Sequence, residues 1–138
     1  MRHAFIIVGF LAAALGAGSV PGSATAGDAE RGRAAFLDHC ATCHGTDARG
    51  GGPLASVLVV QPPDLTLLAA NEGGVFPLGR VLRRVDGEDE VLAHGGPMPV
   101  FGLLLEGPSV AILAPDGSEI VTSEELADIV TWVQEAQR

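Results

Sequence analysis

Two cysteines and a histidine stand together in the segment Cys40-Ala41-Thr42-Cys43-His44. Two thiols three residues apart on a turn can reach the two vinyl groups of a porphyrin. The residue after them then lies beneath the ring, where its imidazole can bind iron. The Cys-x-x-Cys-His spacing is the signature of covalent c-type haem attachment. The segment therefore predicts one covalent haem c, attached at Cys40 and Cys43, with His44 as an axial ligand of the iron.

A zinc site and a redox-active cysteine pair are the alternative chemistries for these thiols. Zinc needs two further protein ligands of a suitable type, and the chain has no second cysteine pair. A thioredoxin-like pair needs a strand before the motif, whereas the residues before Cys40 have a helical pattern. An inert buried pair does not explain the adjacent His44. Haem attachment is the chemistry that the sequence favours.

Met98 and His94 are the candidates for the sixth iron ligand. Met98 lies 54 residues after His44 and stands between Pro97 and Pro99. A rigid, non-helical segment of this kind can hold a thioether at the iron. His94 is the competing ligand and would give iron with two histidine ligands. We expect Met98 to be the axial ligand.

The first 26 residues have the layout of a secretory signal peptide. Residues 1–3 are basic, residues 4–18 are apolar without a charge, and residues 24–26 read Ala-Thr-Ala. We expect cleavage after Ala26, which leaves a mature domain of residues 27–138 in the periplasm. The alternative is a retained membrane anchor, for which 15 apolar residues are fewer than the roughly 20 that a spanning helix needs.

The charge balance restricts the partners of the mature chain. The 138 residues include 17 acidic and 8 basic side chains, all arginine, and the net charge is -9. Removal of Arg2 with the signal leaves 17 acidic against 7 basic residues, or -10. This balance argues against nucleic-acid binding, which needs a basic face. A protein partner is expected to offer a basic or apolar docking surface.

Helical periodicity and capping residues predict the elements that position these groups. Asp28 can cap a helix over residues 29–41, and residues 78–85 can form a short helix. The segment 122–125, Thr-Ser-Glu-Glu, has the form of a capping box and opens a last helix. Its apolar residues have helical spacing: Leu126, Ile129, Val130 and Val133.

An insert over residues 103–121 precedes this last helix. Apolar residues 110–113 and 120–121 flank the turn signal at 115–117, Pro-Asp-Gly, and this pattern predicts a small β-hairpin. We expect the hairpin to cover one side of the haem.

The combined motifs resemble the class I cytochromes c, including a group from the bacterial periplasm. The resemblance covers roughly residues 28–137 and rests on Gly32-x-x-x-Phe36 before the haem motif, Met98-Pro99 beyond it, and Ile129-x-x-Trp132 on the last helix. It implies a mainly α fold, with crossed N- and C-terminal helices around one covalent haem, to which the predicted small β-hairpin is an insert. It also implies that Gly32, Phe36 and Trp132 lie where the terminal helices meet.

The resemblance further implies residues that support the haem. Gly52-Pro53-Leu54 resembles the segment whose proline carbonyl accepts a hydrogen bond from the iron-binding imidazole, so Pro53 is expected to orient His44. The family often uses tyrosine or tryptophan to bind a haem propionate, and this chain has no tyrosine. The arginines of the 78–85 segment are candidates for that role as cations beside carboxylates: Arg80, Arg83 and Arg84.

The resemblance and the ligand set predict single-electron transfer between redox proteins rather than catalysis. Iron with histidine and methionine ligands has no site for a substrate, and the methionine raises its reduction potential. The alternative is a haem c subunit of a periplasmic dehydrogenase or sulfur-oxidising complex. A gas-binding or peroxidatic haem protein would need an open sixth site. Membrane contact is expected only through a partner complex or an uncleaved signal.

Overall fold

The structure, a computed structural model, describes residues 27–88, 98–105 and 107–138. The predicted signal peptide lies outside these residues. Among the described residues, no helix is long and apolar enough to cross a membrane. The elements of this part, in chain order, are α1 (Ala29–His39), α2 (Ala41–His44), α3 (Leu68–Asn71), α4 (Leu78–Asp86), β1 (Ser109–Leu113), β2 (Glu119–Ser123) and α5 (Glu124–Glu135), with two short 3-10 helices at Ala55–Val57 and Leu65–Leu67.

Helix α1 begins where the sequence predicts and ends two residues earlier. The Asp28 carboxylate accepts hydrogen bonds from two backbone N–H groups of the first turn, which stabilises the start of the helix. The Cys40 N–H still bonds to the Phe36 carbonyl at 2.9 Å, but the φ of Cys40 is -114°. This departure from helical geometry separates α1 from α2, which holds Cys43 and His44.

Helices α1 and α5 pack against each other at the buried residue Gly32. A Cβ atom at this position would collide with the carbonyl group of Asp128 in α5, so glycine allows the two backbones to approach. Beside this contact, the ring centroids of Phe36 and Trp132 lie 4.6 Å apart. Packing of the two helices therefore depends on a missing side chain at one position and on aromatic contact at the next turn.

A buried carboxylate secures the same helix pair. The Asp128 side chain accepts hydrogen bonds from the Asp28 N–H at 2.6 Å and from the Arg31 Nε at 2.7 Å. Only 3% of Asp128 is exposed, and a buried carboxylate is stable only when it is paired in this way. Since its partners lie 97 and 100 residues away in the chain, no local sequence pattern indicates the network.

The predicted hairpin is present, and the helix that follows it begins one residue later than predicted. Strands β1 and β2 are antiparallel, with Ala111 opposite Val121. Helix α5 is capped by Ser123, whose hydroxyl accepts a hydrogen bond from the Leu126 N–H at 3.3 Å. The sequence predicts a capping box that starts one residue earlier, at Thr122. Thr122 belongs to β2 and is buried, so its hydroxyl is occupied inside the fold.

Replacement of Gly32 by alanine tests the contact between α1 and α5. We expect Gly32→Ala to lower the free energy of unfolding by about 2 kcal/mol or more, because overpacking against backbone outweighs the roughly 1 kcal/mol that alanine gains in a helix. Urea unfolding followed by circular dichroism measures this change. The exposed Arg33→Ala on the same helix is the control and should change stability by less than about 0.5 kcal/mol. Equal stabilities of the two variants would contradict the close approach.

Candidate functional site

A cavity of about 550 Å³ lies between the haem motif, α4, α5 and the Met98 segment. Its size lies within the range of roughly 300–1,000 Å³ that is typical of ligand and cofactor pockets. Cys40, Cys43 and His44 line one part of its wall, and Met98 lines another. Most of the remaining wall is apolar, including Phe36 and residues of α5. The fold therefore brings all four predicted haem-binding side chains to one cavity.

Burial sets the protonation states of the motif. Desolvation, followed by the nearby Cys43 thiol and the Glu125 carboxylate, raises the pKa of Cys40 to about 11. This thiol therefore stays protonated at neutral pH. Desolvation also lowers the pKa of His44, although an interaction with the Pro63 backbone opposes the decrease. The neutral imidazole that results is the form that binds a metal.

The backbone group that acts on the pKa of His44 belongs to Pro63, whereas the sequence predicts Pro53 in this role. Proline has no N–H, so the Pro63 group that raises the pKa of His44 is its carbonyl oxygen. The buried Nδ1 of His44 still has no hydrogen bond of ordinary geometry. Pro53 is exposed and outside the cavity wall, because the preceding Gly52 packs against the backbone of Thr42 behind the motif.

A clamp at the end of the chain holds the segment that follows Pro63. The Asp64 carboxylate accepts hydrogen bonds from the Thr66 N–H at 2.9 Å, the Thr66 hydroxyl at 2.5 Å and the Arg138 guanidinium at 3.0 Å. The Arg138 N–H also donates to the Thr66 carbonyl at 3.0 Å. The bond from the Thr66 hydroxyl, more than any other contact, lowers the pKa of Asp64. The carbonyl beside His44 is thus adjacent to a fixed segment.

The end of α4 anchors the Met98 segment. The Phe101 N–H donates to the Val85 carbonyl at 2.9 Å. A Cβ atom on Gly102 would lie 2.7 Å from the Asp86 carbonyl oxygen, so this glycine lets the segment lie against the helix end. Asp86 in turn accepts the Thr122 hydroxyl at 3.5 Å, which connects the anchor to the hairpin. His94, the competing ligand, and Pro97 lie outside the described residues.

Two of the three candidate arginines face the cavity. Arg80 and Arg84 lie one helical turn apart on α4 and line the wall, whereas Arg83 does not. The Arg80 guanidinium pairs with the Glu72 carboxylate at 2.6 Å. Arg80 and Arg84 are thus the two candidate arginines on the cavity side of α4.

The donor groups around the cavity fit a haem better than a zinc ion. Among the described residues, no group of three or more histidine, cysteine and acidic side chains could hold a metal ion. The zinc alternative therefore lacks a ligand set there. The thiols, the neutral imidazole and the thioether suit covalent haem with two axial ligands. The buried Nδ1 of His44 has no hydrogen-bond partner within the described part of the chain.

Gly102→Ala tests the anchor of the Met98 segment. We expect the methyl group to push the segment from α4 and to lower the free energy of unfolding by about 1–3 kcal/mol, as for other overpacked sites. Thermal unfolding of the apo and haem-loaded forms measures the effect. Gly51→Ala is the control, since a Cβ there meets nothing within 4 Å. An equal effect of both substitutions would contradict the anchor.

Comparison with known proteins gives one family for this chain. The family model described as cytochrome c matches residues 29–137, a range that includes the whole cavity wall. No curated protein and no solved structure matches the chain. Family members bind haem c covalently, typically one in a domain of this size. The helices, the two-stranded antiparallel sheet and the family match lead to one conclusion: the chain belongs to the cytochrome c family.

Proposed function

We propose that the protein is a class I monohaem cytochrome c of the bacterial periplasm that carries single electrons between redox proteins. The observation that carries this proposal is the shared cavity of Cys40, Cys43, His44 and Met98. The first three residues belong to one five-residue segment, but Met98 comes from a segment beyond α4. Two thiols, an imidazole and a thioether around one cavity supply both attachment points and both axial ligands of one haem.

A bound haem would supply a one-electron Fe(III)/Fe(II) couple. In this proposal, His44 and Met98 would hold the iron between them and leave it no position for a substrate, so the protein is a carrier rather than an enzyme. The anchor of Gly102 on α4 holds the Met98 segment, and the clamp around Asp64 holds the segment that follows Pro63 beside His44. Fixed ligands reduce the reorganisation that accompanies a change of iron charge.

The contacts of the haem margin follow from the same geometry. Arg80 and Arg84 are proposed to neutralise the propionates, because they line the cavity from one face of α4. Cys40 and Cys43 are half-buried, so the haem edge attached to them is the proposed route of the electron. Pro63 takes the role of orienting His44.

Location and partners are part of the proposal. Residues 1–26 are proposed to export the chain and to be removed after Ala26, because their composition matches a signal peptide. Partners are proposed to be redox proteins with basic or apolar docking surfaces, since the mature chain carries -10 and no lysine. The protein is not expected to bind nucleic acid, and it would meet a membrane only through a partner complex or an uncleaved signal.

Substitution of the axial methionine tests the ligand set. In the haem-loaded protein we expect Met98→Ala to abolish the weak far-red sulfur-to-iron band of the ferric spectrum and to admit carbon monoxide to the reduced iron. The reduction potential should fall by on the order of 0.1 V, because axial ligands set haem potentials over roughly 0.8 V. His94→Ala is the matched control and should change none of these. The opposite pattern would assign the ligand to His94.

Neutralisation of single arginines tests the propionate contacts. We expect Arg84→Gln to lower the reduction potential by about 30 mV, because loss of a nearby positive charge favours the more positive ferric state. Arg83→Gln removes the same charge from the next position of α4, outside the cavity wall, and should shift the potential by less than half as much. Spectroelectrochemical titration gives both values. Equal shifts would mean that only net charge matters.

A further inference from the structure

A second cavity lies against another face of α5. Its volume is about 820 Å³, within the range of roughly 300–1,000 Å³ that is typical of ligand pockets. Helix α5, strand β1 and residues 74–78 form its wall. Val130, which is buried, is the one residue that lines both cavities. A haem bound in the first cavity therefore leaves the second cavity available for another molecule.

The wall away from α5 is apolar. Phe76 and Leu78 form its buried part, whereas Val75 and Leu113 are 55% and 62% exposed at the rim. Within the described ranges, the ring of Phe76 has no aromatic partner, since the ring contact there joins Phe36 and Trp132. A buried ring beneath an exposed aliphatic rim suits a ligand with an apolar or aromatic body.

Helix α5 gives the cavity one polar end. Its lining residues occupy positions 127, 130, 131, 134 and 135, which share one face of a helix. The first two are apolar, and the others are Thr131, Gln134 and Glu135. The Thr131 hydroxyl donates to the Ala127 carbonyl at 2.9 Å, so its oxygen can only accept from a ligand. This end of the cavity therefore suits a group that donates hydrogen bonds.

Glu135 adds a negative charge to that end. It is the last residue of α5, whose final turn contains no basic residue, and a helix C-terminus favours cations over carboxylates. In the part of the chain that the structure describes, no cation pairs with Glu135. Arg138, three residues later, pairs with Asp64 at 3.0 Å instead. The carboxylate thus lies in the cavity wall without a counter-charge.

We propose that the second cavity binds an amphiphilic organic amine. Its apolar body lies between Phe76 and β1, and its ammonium group pairs with Glu135. An ammonium group has three N–H donors, which match the Glu135 carboxylate, the Thr131 hydroxyl and the Gln134 amide oxygen. An uncharged molecule would leave Glu135 without a counter-charge, and an anion would be repelled by it. This binding site goes beyond the proposed electron transfer and does not depend on it.

The spacing of the wall residues limits the length of the ligand. Val130 and Glu135 are five residues apart in α5, which corresponds to about 7.5 Å along the helix axis. A phenyl ring that contacts Val130 and Phe76 therefore reaches Glu135 through a chain of about four methylene groups. Phenylbutylamine, with the ring and the amine at opposite ends of the chain, has this length.

Three molecules with one body and different head groups test the charge. Binding of phenylbutylamine, phenylbutanol and phenylbutanoate to the haem-loaded mature protein is measured by calorimetry. In about 0.01 M NaCl we expect the amine to bind about tenfold more tightly than the alcohol, and the carboxylate more weakly than both. In about 1 M NaCl, where the Debye length is about 3 Å, the advantage of the amine should fall below about threefold. Equal affinities at low salt, or a preference for the carboxylate, would overturn the proposal.

Neutralisation of Glu135 locates the head group. Glu135→Gln keeps the size of the side chain, and we expect it to abolish the preference for the amine over the alcohol. Glu30→Gln is the matched control, because it removes the same charge from an exposed residue of α1 outside the cavity wall. The control should keep the preference. Equal losses in both variants would mean that only net charge attracts the amine, and this result also overturns the proposal.

A bulky side chain on β1 locates the apolar body. Ala111 lines the cavity and is exposed, and we expect Ala111→Phe to weaken amine binding by at least about tenfold, because the ring occupies the same space. Val121→Phe adds the same ring at the residue directly opposite on β2, outside the wall. It should change the affinity by less than about twofold. Unchanged binding to Ala111→Phe would contradict the site.

Two measurements exclude other modes of binding. Ligation of the amine to the iron in place of Met98 would change the ferric spectrum, whereas binding in the second cavity should leave it unchanged at saturation. Sedimentation that shows a dimer dissociated by the amine would assign the cavity to a second copy of the chain. A changed spectrum or such a dimer overturns the proposal. Neither result bears on electron transfer, which a mediated redox titration tests separately.

Discussion

The close approach of α1 and α5 at Gly32 is the contact on which the cavity depends. It places the backbone of α1 against that of Asp128. The buried Asp128 carboxylate accepts hydrogen bonds from the Asp28 N–H and from the Arg31 side chain. Since α1 leads directly into Cys40 and α5 contributes Ile129, Val130 and Val133 to the cavity wall, the helix contact sets the distance between two sides of the site.

The remaining sides of the cavity come from segments that have little regular structure and are held by a few hydrogen bonds and close contacts. The Met98 segment rests on the end of α4 through Phe101 and Gly102, and the segment after Pro63 is tied to the C-terminus through Asp64 and Arg138. Ordering of such segments costs conformational entropy. Haem bound to both sides would add contacts that only the folded state makes, and would stabilise it accordingly.

Features that depend on neighbouring residues were predictable from the sequence. Features that depend on contacts between residues distant in the chain were not. The haem motif, the start of α1, the helix α4 and the hairpin follow from local spacing and caps. A Gly-Pro-Leu triplet does not reveal which proline carbonyl lies beside His44, and the backbone group that acts on the pKa of this histidine belongs to Pro63. Helix α3 has four residues, too few for a periodic pattern.

The sequence by itself determined the covalent chemistry, the acidic charge and the candidate ligands, because these depend on residue type and spacing alone. Only the tertiary structure decided which candidates share a site. It brought Met98 to the wall that holds His44, turned Arg80 and Arg84 toward the cavity and left Arg83 outside it. The physical reason is that such relations are set by helix packing between residues distant in the chain, which no local pattern encodes.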